Sequence, residues 1–222
     1  MSNPLTKKII IIDDHPLVRK GLIEILESEP GFEVIAEFDR AEESEQAVNQ
    51  HKPDLVIADV SLPGISGIEL VKNLVFQNSD QKILVVSRHE ESLYAERALR
   101  AGAKGYIMKF ASCETLIKAV RKVLNGGIYV SEEIGEKLLI NAMSGKKAVL
   151  ETPVDILSDR ELEVYELIGK GKSNPAIAEQ LHLAVKTIET YRSRIKDKMN
   201  FKNSTDLVFH AVKWVEDEAE LH

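Results

Sequence analysis

An aspartate directly follows a short apolar run in the N-terminal half of the chain. Residues 55–58, LVIA, include no polar residue, which predicts a strand covered on both faces, and Asp59 comes next. Pro63 and two glycines then break the chain before a predicted helix. In an open parallel α/β sheet, ligands bind beyond the carboxyl ends of the strands. Asp59 is therefore a candidate reactive carboxylate, although an aspartate after a strand is often only a turn former.

The other predicted strands of this region also end on polar side chains. Asp13 and Asp14 follow an isoleucine run, Ser87 ends the run that starts at residue 83, and Lys109 follows residues 106–108. Carboxylates at one sheet edge repel each other unless a cation lies among them, and oxygen ligands favour a hard ion such as Mg²⁺. A carboxylate beside such an ion can attack phosphorus as a nucleophile, with an amine and a hydroxyl stabilising the phosphoryl oxygens.

The order and spacing of these segments resemble the receiver domain of two-component response regulators. The resemblance covers residues 7 to about 125 through DDHPLVR, DLVIADVSLPGISG, LVVSRH and GYIMKF. It implies that a partner histidine kinase transfers a phosphoryl group to Asp59. It also implies a Mg²⁺ site formed by Asp13, Asp14, Asp59 and the backbone carbonyl of Ser61.

The same resemblance implies roles for three further residues. Ser87 and Lys109 would contact the phosphoryl group, and Tyr106 would be an aromatic switch that turns inward when Asp59 is phosphorylated. The chain departs from many receivers at Phe110, where they carry a proline.

The pattern of strands and helices predicts five βα units in this first domain. Predicted strands are 8–12, 33–38, 55–58, 82–87 and 105–108, and predicted helices are 16–28, 40–51, 65–77, 91–101 and 112–125. Such alternation indicates a five-stranded, doubly wound parallel sheet of the flavodoxin-like α/β class. Gly31 and Gly102 are predicted to end the first and fourth helices. No Gly-x-Gly-x-x-Gly follows a strand, which argues against a dinucleotide site.

Composition sets the broad class of the protein. With 222 residues, 44% hydrophobic and 29% charged, the chain is long enough for one large or two small globular domains. It has no apolar run of membrane-spanning length and a single cysteine, Cys113, so we expect no membrane partner and a cytoplasmic location. The predicted domains are a receiver at 1–127, a helix and linker at 128–155, and an all-α helix-turn-helix domain at 156–222.

Capping signals predict the helices of the second domain. Ser158 and Glu161 form a capping box ahead of an amphipathic stretch. Asn174 is the predicted N-cap of a short helix with Pro175 in its first position, and a turn then leads to a helix over residues 185–199. This arrangement is a helix-turn-helix.

The helix over residues 185–199 has one apolar and one polar face. Ile188, Tyr191, Ile195 and Met199 share the predicted buried face. Residues 186–202 carry six Lys or Arg against two acidic residues, a net charge of +4, in a chain of net charge −7. A basic border around hydrogen-bonding side chains suits the major groove of double-stranded DNA, although such faces often only solvate a surface helix. The candidate DNA contacts are Lys186, Glu189, Thr190, Ser193, Arg192, Arg194, Lys196 and Lys198.

Residues 154 to 216 resemble the LuxR-type DNA-binding domain through LSDRELEVYELIGKGKSNPAIAEQL and VKTIETYRSRIKDKM. Together with the receiver resemblance, this indicates a transcription regulator of the NarL/FixJ class. The chain departs from the pattern at Ala184, where a serine usually caps the recognition helix, and at Tyr191, where histidine is common.

The last predicted helix, residues 205–218, has a wide apolar stripe. Part of this stripe is explained either by core packing or by a contact in a homodimer that forms when the protein is active. Two further alternatives concern the whole chain. An aspartyl-phosphate phosphohydrolase would carry a second aspartate two positions after the first, where this chain has Ser61. A receiver that works without phosphorylation would not need the complete set of acidic residues, Ser87 and Lys109.

Overall fold

The computed structural model describes residues 6–144 and 156–220, and the chain divides into two compact units, Met1–Lys146 and Lys147–His222. The predicted linker at residues 144–155 falls outside the described residues except for Ser144. The predicted domain boundaries stay predictions. In the described parts of the chain, no helix is both long and apolar enough to cross a membrane.

The first unit is a five-stranded parallel sheet with the strand order β2-β1-β3-β4-β5. Its strands are β1 (Lys7–Ile12), β2 (Phe32–Phe38), β3 (Leu55–Ala58), β4 (Ile83–Ser87) and β5 (Gly105–Met108). Its helices are α1 (Pro16–Glu27), α2 (Ala41–His51), α3 (Gly67–Gln77), α4 (Glu91–Ala101), α5 (Cys113–Leu124) and α6 (Glu132–Ser144). The predicted fold class is confirmed, and each predicted element appears within two residues of its predicted bounds.

The sheet is buried on both faces because its central strands are apolar throughout. Ile9 and Ile11 belong to a cluster of buried residues that includes Leu26 of α1 and Val120 of α5. Successive side chains of a strand point to opposite faces, so the equally buried Ile10 and Ile12 lie on the other side. Burying each of these side chains contributes about 1.5–3 kcal/mol. This rigid centre positions the strand ends on which the polar groups lie.

Two glycines of the first unit meet specific steric demands. A Cβ at Gly67 would lie 1.7 Å from the backbone oxygen of Asp59, so only glycine lets α3 begin this close to the end of β3. Gly102 ends α4 with a φ of +110°, as predicted. The prediction for Gly31 was wrong in detail. Ser28 caps the end of α1, and Gly31, with a φ of +93°, lies in the turn before β2.

The second unit consists of helices in its described part: α7 (Asp159–Gly169), α8 (Asn174–Gln180), α9 (Val185–Met199) and α10 (Ser204–Glu220). Helix α7 packs against α9 and α10, and α8 packs against α9. A Cβ at Gly169 would lie 2.4 Å from the backbone oxygen of Ala211, so α7 and α10 approach closely there. The buried residues of the unit include Leu162, Ile188, Ile195 and Leu207.

The helix starts of the second unit follow the capping rules with one correction. The predicted capping box of Ser158 and Glu161 is present in both directions. The predicted N-cap of α8 was wrong by one residue. Ser173 caps this helix, with its hydroxyl accepting a hydrogen bond from the Ala176 amide at 3.4 Å, and Asn174 is already helical. Serine and asparagine are comparably good caps, so sequence alone does not choose between them.

Candidate functional sites

Strand register brings the predicted carboxylates together. Ile12 of β1 pairs with Ala58 of β3, so Asp13 and Asp59 leave the sheet side by side. Asp59 is 3% exposed, and its Oδ1 accepts a hydrogen bond from the Val60 amide at 2.7 Å. Its other carboxylate oxygen, Oδ2, lies 2.7 Å from Lys109 Nζ.

Lys109 links two of the carboxylates directly. Its ammonium lies 2.6 Å from Asp13 Oδ2 as well as 2.7 Å from Asp59 Oδ2, and its side chain is only 4% exposed. The strand end fixes this position, because the Lys109 amide donates to the Ser87 carbonyl at 2.7 Å. The peptide bond from Lys109 to Phe110 is trans.

The acidic group has the chemistry of a divalent metal site. Ligand atoms of Asp13, Asp14, His15 and Asp59 all lie within 4.8 Å of one another. Three carboxylates at this spacing form an oxygen-rich donor set that fits a hard dication such as Mg²⁺. The residues present therefore fit the ion that the receiver fold implies.

Burial dominates the protonation equilibrium of Asp59. Removal from water raises the pKa of Asp59, Lys109 opposes this rise and the nearby Asp13 charge adds to it, so that the pKa lies above its ordinary value. A further positive charge near the carboxylate would favour the ionised form. The charge state of Asp59 therefore depends on the cations that surround it.

Ser87 lies at the end of β4 beside the carboxylate. Its side chain is fully buried and hydrogen-bonds to Asp59, and its oxygen also accepts from the His89 amide at 3.3 Å. The predicted group of Asp59, Ser87 and Lys109 thus lies at one edge of the sheet.

Tyr106 is turned into the protein. Its ring is fully buried, and its hydroxyl donates a hydrogen bond to the His89 carbonyl at 2.7 Å. Together with the Ser87–Asp59 hydrogen bond, this is the inward arrangement that the receiver resemblance associates with phosphorylated Asp59. The predicted switch residue is therefore in its inward position in this structure.

Two histidines that the sequence reasoning missed lie at the site. His89 Nε2 is 2.8 Å from Ser61 Oγ, and the His89 ring packs on Tyr94 with centroids 4.5 Å apart. His15 lies among the carboxylates. The position of His15 directly after Asp13-Asp14 was the available signal, whereas His89 lies two residues beyond a strand end and carried no comparable pattern.

The recognition helix α9 exposes most of the predicted DNA contacts. Ile188 and Ile195 are fully buried, while Tyr191 and Met199 are half-buried at the edges of that face. Ala184 occupies the N-cap with no side-chain hydrogen bond, as its residue type predicts. Exposed candidates are Lys186, Glu189, Thr190, Ser193, Arg194 and Lys198, and half-buried candidates are Arg192 and Lys196.

Lys198 has a partner within its own unit. Its ammonium lies 2.6 Å from Glu161 Oε2, and Glu161 also closes the capping box of α7. Burial raises the pKa of Glu161, but hydrogen bonds from Lys198 and Ser158 outweigh that effect and hold the pKa below its ordinary value. Lys198 therefore has a structural contact in addition to its predicted DNA contact. Burial also lowers the pKa of the Arg192 guanidinium.

Two protein families match the chain. The family of response regulator receiver domains matches residues 9–121. The luxR family of bacterial regulatory proteins matches residues 155–211.

Similar proteins span almost the whole chain. The oxygen regulatory protein NreC of Staphylococcus carnosus is 40% identical over 210 residues, which cover 93% of this chain and 97% of NreC. The transcriptional regulatory protein DegU of Brevibacillus brevis is 34% identical over 223 residues, which cover 94% of each chain. RcsB from Salmonella enterica serovar Typhimurium, solved bound to promoter rprA in the presence of the phosphomimetic BeF3⁻, has a similar fold with a TM-score of 0.60. That match has 24% identity and covers 93% of this chain and 98% of RcsB.

Proposed function

The chain belongs to the response regulators that join a receiver domain to a LuxR-type DNA-binding domain, and we propose that phosphorylation of Asp59 controls DNA binding by α9. A partner histidine kinase supplies the phosphoryl group. The observation that carries this proposal is the convergence of Asp59, Lys109, Ser87 and two further carboxylates at one sheet edge.

The side chains of the receiver have distinct roles in the transfer. An oxygen of Asp59 attacks phosphorus, the P–N bond of the phosphohistidine breaks, and the imidazole of the kinase leaves with the bonding electron pair. The Lys109 ammonium, already 2.7 Å from Asp59 Oδ2, neutralises charge on the phosphoryl oxygens. The Ser87 hydroxyl donates a hydrogen bond to one of those oxygens.

Four groups would hold Mg²⁺: the carboxylates of Asp13, Asp14 and Asp59, which lie close together, and the backbone carbonyl of Ser61, as the receiver resemblance implies. The bound ion supplies positive charge next to the phosphoryl oxygens and lowers the repulsion between the carboxylates. In this role Asp14, whose side chain is 8% exposed, serves as a ligand and is not a reacting group.

The second unit reads double-stranded DNA through α9. The exposed side chains of Lys186, Glu189, Thr190 and Ser193 face base edges in the major groove, and the bordering Arg192, Arg194, Lys196 and Lys198 contact phosphates. Binding of chromosomal DNA places this activity in the cytoplasm. Lys198 can serve both its phosphate and Glu161 because an ammonium has three donors.

A homodimer is the proposed active form. Helix α10 exposes Val208 and Phe209, the latter with 64% of its surface accessible, on the unit that carries the recognition helix. A two-fold dimer through this face would place two recognition helices on half-sites about one helical turn, or about 10 base pairs, apart.

The proposal is tested by incubating the full-length protein with acetyl phosphate and Mg²⁺ and measuring its mass and oligomeric state. The expected result is one added phosphoryl group, a larger fraction of dimer and tighter binding to DNA. Asp59→Asn should lose all three responses, whereas Asp80→Asn, an exposed aspartate ahead of β4 at the opposite edge of the sheet, should keep them. Continuous turnover of phosphate esters without a stable adduct would favour the phosphohydrolase alternative.

A further inference from the structure

His15 places a ring nitrogen among the three carboxylates of the site. Its Nδ1 lies 2.5 Å from Asp14 Oδ1, 3.2 Å from Asp13 Oδ1 and 4.0 Å from Asp59 Oδ2. Lys109 Nζ is 3.5 Å away from the same nitrogen. The ring therefore meets every acidic side chain of the site.

The backbone holds His15 in this position. The residue is the N-cap of α1 in an extended conformation, and its side chain makes no capping hydrogen bond. Its amide donates to Asp13 Oδ1 at 2.8 Å, and its carbonyl accepts from the Arg19 amide at 3.0 Å. Pro16 follows at the first helical position, where its ring restricts the backbone. The imidazole is thus positioned by the start of α1 and has no role in capping it.

The spacing of the ligand atoms suits a single ion. Two ligands of one dication with bonds of about 2.1 Å can be at most about 4.2 Å apart. His15 Nδ1 and Asp59 Oδ2 are separated by 4.0 Å. Because Lys109 Nζ lies 3.5 Å from His15 Nδ1 and 2.7 Å from Asp59 Oδ2, its ammonium must move aside before one ion can lie between this nitrogen and the carboxylates.

We propose that His15 Nδ1 is a fourth side-chain ligand at this site and that it shifts the preference of the site from Mg²⁺ toward a transition-series dication such as Mn²⁺. The inference rests on the metal site of the proposed function and adds a ligand to it. Imidazole is an ordinary ligand of transition metals, whereas Mg²⁺ is bound mainly through oxygens and retained water. When Nδ1 binds an ion, the ring proton lies on Nε2.

Binding titrations of the full-length protein test the preference. Mn²⁺ binding is followed by the loss of the free-ion electron paramagnetic resonance signal, and Mg²⁺ binding by competition with Mn²⁺. His15→Ala is expected to weaken Mn²⁺ binding about tenfold and Mg²⁺ binding by less than about threefold. The matched control is His51→Ala, which removes an exposed imidazole at the end of α2 and should change neither affinity.

Pulsed electron paramagnetic resonance of the Mn²⁺ form tests direct coordination. Wild type and His51→Ala should show coupling to a ¹⁴N nucleus of imidazole, and His15→Ala should not. Three results would overturn the inference: no imidazole coupling in wild type, equal weakening of both ions in His15→Ala, or tighter binding of both ions in that variant. The last result would mean that the ring occupies the site in place of the ion.

A separate variant distinguishes this inference from the metal site itself. Asp14→Ala should greatly weaken the binding of both Mn²⁺ and Mg²⁺, because it removes a carboxylate ligand. If Asp14→Ala weakens the binding of both ions while His15→Ala leaves the ratio of the Mn²⁺ and Mg²⁺ affinities unchanged, the metal site is supported. The assignment of His15 as a ligand is then wrong. If Asp14→Ala changes neither affinity, the proposed metal site itself is wrong.

Discussion

Asp59 depends on neighbours that come from other strands. The carboxylate is buried, and Lys109, Ser87 and the Val60 amide surround it with positive charge and hydrogen-bond donors. Lys109 is shared with Asp13, so one ammonium balances two carboxylates. The chemistry of the site is therefore a property of this small group and not of the aspartate alone.

Replacing Lys109 with methionine tests that balance. Lys109→Met leaves Asp13 and Asp59 without their buried cation, and breaking a buried ion pair costs about 3–5 kcal/mol. We expect a lower free energy of unfolding, partial recovery on adding Mg²⁺ because the ion restores positive charge, and a lost response to acetyl phosphate. Denaturant unfolding with and without Mg²⁺ measures this, with exposed Lys118→Met as the control. Equal stability of Lys109→Met and wild type in the absence of Mg²⁺ would contradict the prediction.

Thr190 offers a matched pair of substitutions at the DNA-reading face. Its hydroxyl donates to the Lys186 carbonyl at 3.0 Å, so the methyl group and the oxygen lone pairs remain available to a base. If the Thr190 methyl group contacts the methyl group of a thymine, Thr190→Val, which keeps this methyl group, should keep the affinity for DNA. Thr190→Ser, which removes it, should lower that affinity. Fluorescence anisotropy with thymine replaced by uracil at single positions measures this contact. The opposite order, with valine weaker than serine, would show that the hydroxyl reads the base.

At the scale of elements, the start of α9 and its contact with α7 determine how firmly the recognition helix is held. Helix α9 lacks a side-chain cap at Ala184, while its C-terminal half is tied to α7 through Lys198 and Glu161. Its buried face contributes only Ile188 and Ile195 as fully buried residues. Substitutions at Ala184 and at Glu161 measure the contributions of the cap and of the ion pair separately.

Ala184→Ser should stabilise the second unit. The residue has a φ of −73° and a ψ of 145°, the extended backbone that N-cap residues adopt, so a serine hydroxyl can accept from a free amide of the first turn. The expected gain is about 1 kcal/mol in the free energy of unfolding. Denaturant unfolding measures it, with Ala184→Val as a control that adds bulk but no acceptor. A gain of the same size in the valine variant would mean that capping is not the cause.

The ion pair of Glu161 and Lys198 should make the second unit sensitive to acid. Because the pKa of Glu161 is lower in the folded chain than its ordinary value of 4.5, the pair stabilises the fold above that pH. The contribution is lost as the pH falls from about 4.5 through the folded pKa. Unfolding free energies measured between pH 7 and pH 3 should therefore fall less steeply for Glu161→Gln than for wild type, from a lower starting value at pH 7. Parallel curves would exclude this role.

At the scale of the whole molecule, the proposed signal passes from the receiver to the DNA-binding unit, which acts in the proposed homodimer together with the same unit of a second copy. Each unit has its own buried core, and the similarity to NreC and DegU extends over 93% and 94% of this chain. In the proposed mechanism, control of DNA binding rests on whether two copies associate. The exposed residues of α10 offer a surface for that step.

Phe209→Ser tests the surface on α10. Phe209 is 64% exposed and contacts the exposed His210, so its loss should leave the fold and its stability nearly unchanged. Compared with wild type, we expect Phe209→Ser to bind DNA with two half-sites more weakly and DNA with a single half-site equally well. After phosphorylation, the variant should form a smaller fraction of dimer than wild type does. Analytical ultracentrifugation and anisotropy measure these quantities. A large loss of stability would instead support core packing as the reason for this apolar stripe.

The residue types at the strand ends were enough to predict the fold and the proximity of Asp13, Asp14, Asp59, Ser87 and Lys109. Apolar runs that end on Asp13-Asp14, Asp59, Ser87 and Lys109 identify parallel strands and their reactive edge, because strand burial and sheet edge are read from local pattern. The same holds for α9, whose buried and exposed faces follow from a period of 3.6 residues. These features depend on neighbours in sequence.

Only the tertiary structure decided which individual atoms meet. The approach of His15 to Asp59, the contact of His89 with Ser61, and the ion pair of Lys198 with Glu161 join residues whose pairing no local pattern specifies. Ser61 and His89 are 28 positions apart, and Glu161 and Lys198 are 37 apart. Such contacts depend on strand register, helix packing and side-chain rotamers acting together, so they emerge only when the whole unit is folded.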